Sequence, residues 1–220
     1  MEKKSLKNNP DFTKTYLITN EVFNAITHGI GFGLSIAGLV ILLYKGSQTG
    51  TALEIVSYAI YGATLILLYL CSTLYHSLAF TPARKLFKIF DHMSIFLLIA
   101  GTYTPYTLIT IGGALGWTLF GIVWAIAILG VLYKAIWINK FQKYSTWLYI
   151  AMGWLCVFAL KPMYLGLGTK GFTLLVLGGL SFTIGAIFYS LRNIKYMHVL
   201  WHLFVLAGTA FMYFSILFYV

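Results

Sequence analysis

The sequence predicts an all-α integral membrane protein: a bundle of seven transmembrane helices with a cytosolic N-terminus and a C-terminus outside. Three observations carry this. The 220 residues are 60% hydrophobic and only 9% charged. Mean hydropathy is +0.86, far above that of a soluble domain. The apolar runs are long and continuous, where barrel strands would alternate in short segments. The net charge of +10 sits in short turns between those runs, the place of orientation signals, and does not point to nucleic acid.

Residues 1–20 are mostly polar and read as a cytosolic tail, partly disordered, with no cleavable signal peptide. Residues 21–220 read as a single membrane domain, because no loop is long enough for a soluble one. The first span follows Glu21-Val22-Phe23-Asn24-Ala25-Ile26-Thr27-His28 and ends near Tyr44, with Gly29 and Gly33 as a close-packing face. The second covers about 53–78. The third covers about 89–110, opens with Asp91-His92, and is kinked by Pro105, which lacks an N–H. The fourth, fifth, sixth and seventh cover about 114–133, 146–160, 172–190 and 197–220. Gly178, Gly179 and Gly185 mark close packing or a hinge in the sixth. These glycine-rich faces also permit a homodimer.

Orientation follows from the basic residues. Twelve fall on one side: Lys3, Lys4, Lys7, Lys14, Arg84, Lys85, Lys88, Lys134, Lys140, Lys143, Arg192 and Lys195. Only Lys45, Lys161 and Lys170 fall on the other. Cys71 and Cys156 lie inside apolar runs and read as packed thiols. The tryptophans and Tyr106 read as interfacial belt and helix packing.

The chemistry concentrates at one depth. His198 and His202 are four apart, on one helical face. His76 closes the second span and Asp91 opens the third, so all four reach the inner leaflet, whereas no comparable ionisable group occupies the outer half. Such groups are costly in a bilayer and default to function. Three imidazoles with an open position form the ligand set of a catalytic zinc site. Nickel or cobalt fits the same nitrogens, but a tetrahedral set without redox work favours Zn2+. Asp91 is placed to act as general base on a water in the open position, and Ser72, one turn before His76, to orient the water or a substrate carbonyl. His92 points about 100° away from Asp91 and reads as a packing or hydrogen-bonding residue. His28 reads mainly as an interhelix contact, the alternative being support of a metal ligand, and Glu21 mainly as a solvated charge, the alternative being a pair with the basic cytosolic turns.

Taken together, Ser72-x-x-x-His76, Asp91 and His198-x-x-x-His202, with Asn24, Thr27-His28 and Gly101-Thr102-Tyr103-Thr104-Pro105, resemble the hemolysin III family, the bacterial branch of the progestin and adipoQ receptor superfamily. The resemblance spans nearly the whole chain. It implies a seven-helix bundle with zinc on His76, His198 and His202, a zinc water held by Asp91, and Ser72 beside it. It also implies a plasma-membrane protein linked to membrane-lipid homeostasis. The expected function is metal-dependent hydrolysis of membrane lipid amides or esters, with lipid as the partner and the bilayer as the setting. The alternatives are a non-enzymatic membrane sensor with a structural zinc, and a haemolysin-like cytolytic protein or pore.

Overall fold

The structure is a computed structural model and describes residues 13–137, 142–191 and 193–220. The tail residues 1–12, and Lys140 and Arg192 of the charge count, lie outside the described residues. The described residues form helices and turns, with no strand among them. Helix α1 is Lys14–Thr49, α2 Ala52–Ser77, α3 Arg84–Pro105, α4 Gly113–Trp137, α5 Gln142–Gly153, α6 Leu160–Ser190 and α7 Met197–Tyr219. Among the described residues, six helical segments are long and apolar enough to cross a membrane. The chain is therefore an all-helical, multi-pass membrane protein.

Helix α1 starts before the expected tail ends. Thr13 caps it, its hydroxyl accepting the Tyr16 N–H at 3.2 Å, so Lys14 to Asn20 form its first turns. At the other end Gly50 takes a left-handed conformation, with φ of 74°, that closes the helix. The close-packing face of α1 also differs in register from the expected one. A Cβ at Gly33 would meet nothing within 4 Å, while one at Gly31 would lie 2.6 Å from the Tyr69 ring of α2. Gly31 lets α1 and α2 approach.

The Pro105 kink takes the form of a π-helical turn. Tyr106–Ile111 continues α3 in π geometry, and Gly112 N–H reaches back to the Thr107 carbonyl at 2.9 Å. Tyr106 is buried in the core rather than in an interfacial belt. The expected end of the fifth span near residue 160 is also displaced. Trp154–Ala159 is a 3-10 turn after α5, and Lys161-Pro162 sits in the first turn of α6, where proline is tolerated. The chain breaks at Gly168, with φ of 63° and ψ of 178°. Gly178 and Gly185 are close-packing positions: a Cβ there would lie 2.9 Å from Met212 and 2.8 Å from Phe204 of α7.

Helix α1 packs between α2 and α7; α2 packs on α3, α3 on α4, and α6 on α7. The main core joins Tyr58, Tyr61, Leu65, Tyr69, Val205 and Ile216. Inside it the Tyr69 hydroxyl donates to Thr209 Oγ1 at 2.6 Å, while Thr209 donates to the Leu206 carbonyl. Cys71 and Cys156 are free thiols, the first buried.

Candidate metal centre

The entry of α7 sets its register. Tyr196, just before it, has φ of 62°, a strained value for a side chain of that size. It is held there by α1: its N–H donates to the Tyr16 hydroxyl at 3.3 Å, and its ring packs edge-on to Tyr16 and Phe23. From this turn His198 and His202 face inward, while His76 arrives from the last turn of α2.

The three rings meet. Their centroids are 5.1 Å apart for His76 and His198, 4.9 Å for His76 and His202, and 4.7 Å for His198 and His202. One nitrogen from each lies within 4.8 Å of the others, so the group is able to hold a metal ion. Ligand nitrogens around tetrahedral zinc stand about 3.4 Å apart, so small side-chain adjustments close the site. The donor chemistry fits. His76 Nδ1 donates to Glu21 Oε2 at 2.7 Å, and its Nε2 is buried without a hydrogen-bond partner. His202 Nδ1 donates to the Asn24 carbonyl at 3.2 Å, with Thr27 Oγ1 at 3.4 Å. Each leaves Nε2 as the lone-pair nitrogen, the arrangement seen in metal-ligating histidines.

Asp91 and Ser72 stand beside this cluster. Asp91 and Ser72 line one cavity with His198 and His202, and Ser72 Oγ is buried without a partner. His92 donates from Nδ1 to the Lys88 carbonyl at 2.8 Å, in keeping with a hydrogen-bonding role, and the same nitrogen lies 3.7 Å from Asp91 Oδ2.

Two residues play larger parts than the sequence suggested. The Glu21 carboxylate is not a solvated charge: it is 14% exposed and bridges His76 to Arg84, whose Nη2 donates to Oε1 at 2.7 Å. His28 is buried and stacks on His202 with centroids 3.5 Å apart, its edge against Tyr69. The clue lay in the spacing of Glu21, Asn24, Thr27 and His28, which puts all four along one stripe of α1.

A cavity of about 160 Å³ opens from the cluster. Ser72, Asp91, His198 and His202 line its polar end, and Leu98, Ile99, Phe182, Val205 and Met212 its apolar length. A smaller apolar cavity of about 60 Å³ shares Tyr103, Trp154 and Met212 with it and extends to Met163. Exposed Gly153 and Trp154 and half-buried Gly179 form part of the wall, and the Trp154 indole N–H spans it to Thr183 Oγ1 at 3.1 Å.

Comparisons with known proteins place the chain in a family. A family profile described as Haemolysin-III related matches residues 16–213. The chain is 50% identical to a Hemolysin-3 of Bacillus cereus over 206 residues, covering 94% of each chain. It is 46% identical to a Hemolysin-3 homolog of Bacillus subtilis (strain 168) over 204 residues, 93% of this chain and 96% of that one. A human monocyte to macrophage differentiation factor is 28% identical over 163 residues, 71% of this chain and 67% of that one, a distant relative that fits the wider superfamily. With its profile match running from the first turns of α1 deep into α7, the chain belongs to the haemolysin III family.

Proposed function

We propose that this protein is a zinc-dependent hydrolase of membrane lipid amides or esters, working from the cytosolic side of the plasma membrane in membrane-lipid homeostasis. The observation that carries the reading is the convergence of His76, His198 and His202 with Asp91 and Ser72 at the polar end of an apolar cavity. Aqueous substrates would not need that apolar length; an acyl chain would.

The reading takes the chain to cross the membrane seven times. The 46-residue segment Ser145–Ser190 would be about 69 Å long as one helix, more than twice a hydrocarbon core of about 30 Å. We read the break at Gly168 as dividing it into two spans, each of ordinary length. With an odd number of crossings, the basic residues put the N-terminus inside and the C-terminus outside. The histidines then lie at the depth of the inner headgroups.

The residues take the following roles. His76, His198 and His202 hold the ion. A zinc ion so held supplies a Lewis acid and lowers the pKa of water towards neutrality. Asp91 accepts the proton of the attacking water and returns it to the leaving group. Ser72 donates to the substrate carbonyl, and the apolar cavity keeps the acyl chain in line with both. A non-enzymatic sensor would use the same nitrogens to tie α2 to α7 and would show no turnover. A pore would need polar groups through the whole depth, whereas the ionisable cluster occupies one end.

The test uses the full chain in nanodiscs with fluorescent lipid amides and esters. Fatty-acid release by the zinc-loaded protein should fall by at least about a hundredfold in Asp91→Asn, the usual contribution of a positioned acid–base group. Equal release from metal-stripped protein and from His202→Ala would refute the reading.

A further inference from the structure

Helix α1 supplies no ligand to the histidine cluster, yet its inward stripe touches two of the three imidazoles. We propose that Glu21 is a positioning residue for the metal centre. It fixes the tautomer and tilt of His76, and Arg84 holds it in place from the first residue of α3. The inference rests on the metal-binding reading of the three histidines.

The geometry is specific. Glu21 Oε2 takes the proton of His76 Nδ1 at 2.7 Å, while Oε1 takes an Arg84 Nη2 proton at 2.7 Å. Both carboxylate oxygens are therefore engaged, and neither is turned to water. Arg84 is itself fixed three ways. Its Nη1 donates to the Ala79 carbonyl at 3.1 Å, its Nη2 also reaches the Tyr75 hydroxyl at 3.4 Å, and its guanidinium lies 5.1 Å from the centre of the Tyr75 ring. The chain Tyr75, Arg84, Glu21, His76 thus joins three elements. It starts and ends on α2, passes through the first residue of α3, and crosses to α1.

The chemistry follows from the imidazole. A neutral histidine carries its proton on one nitrogen, and only the other can ligate. A carboxylate accepts and cannot donate, so Glu21 holds the proton on Nδ1 and leaves Nε2 to the ion. An Asn24 carbonyl does the same for His202 from the same helix, but a backbone group cannot be varied by mutation. A solvated or merely structural glutamate would have no reason to select one nitrogen. In Glu21→Gln the side-chain amide can offer an N–H to Nδ1 and so stabilise the tautomer that cannot bind.

The experiment is Co2+ and Zn2+ titration of the full chain in nanodiscs against a competing chelator, with the Co2+ visible spectrum as readout. Thermal unfolding of the metal-free proteins accompanies it. Glu21→Gln should weaken metal binding about 10- to 100-fold and alter the Co2+ spectrum. Its metal-free melting should stay close to that of the parent. Arg84→Gln should give a smaller loss in the same direction. Should Glu21→Gln fail to fold, the Arg84→Gln affinity decides alone. Affinity and spectrum equal to the parent in both variants would overturn the proposal while leaving the metal site intact. A parent protein that binds neither ion would overturn both.

Discussion

Replacing His76 by Gln should separate metal-dependent from intrinsic stability. His76 is the only member of the cluster on α2, so an ion held by all three ties the second helix to the last. Such an ion binds the folded state and stabilises it by linkage. At a zinc concentration one hundred times the parent Kd this amounts to about 2.7 kcal/mol. For a chain of this size that is a rise in Tm of about 5–10 °C. Losing one of three nitrogen donors by a hundredfold drop in affinity brings the same zinc concentration down to the new Kd. The residual stabilisation is then about 0.4 kcal/mol, a shift of about 1 °C. The assay is thermal unfolding of detergent-solubilised protein with and without zinc, each variant compared with its own metal-free form. His92→Gln is the control, because His92 bonds the Lys88 carbonyl and is not among the three imidazoles that converge. A zinc shift that survives intact in His76→Gln, or one that disappears equally in His92→Gln, would refute the assignment.

Two further outcomes test the packing that positions the site. Gly101→Ala should destabilise the protein by about 1–3 kcal/mol in thermal unfolding, because the new methyl would overlap the buried Thr64 side chain, whose own Cβ lies 2.9 Å away and cannot rotate clear. Tyr69→Phe should lose about 1 kcal/mol, since it removes one buried hydrogen bond to Thr209 while leaving that hydroxyl bonded to the Leu206 carbonyl; an unchanged Tm would contradict the role given to that bond.

The candidate site was legible where it depended on local periodicity. A four-residue spacing puts His198 and His202 on one face whatever else the chain does, and the boundaries of apolar runs set the depths of His76 and Asp91. The parts that were not legible depend on how one helix is rotated against another. Glu21 reads as a surface charge until α1 is docked with Gly31 against Tyr69, which turns Glu21 towards His76 and His28 onto His202. The choice of Gly31 over Gly33 is made by the bulk on α2, which no pattern within α1 contains. The sequence reading ends the fifth span near residue 160, yet the chain continues as helix there, because Pro162 in the first turn loses no bond that the helix needs.

The central claim is that His76, His198 and His202 share one metal ion. Anomalous X-ray scattering from crystals of the full chain, measured on either side of the zinc edge, addresses it most directly. The account predicts a single strong peak bounded by those three imidazoles, with Asp91 and Ser72 beside it. An empty cluster in zinc-replete crystals, or a peak on other side chains, would contradict it.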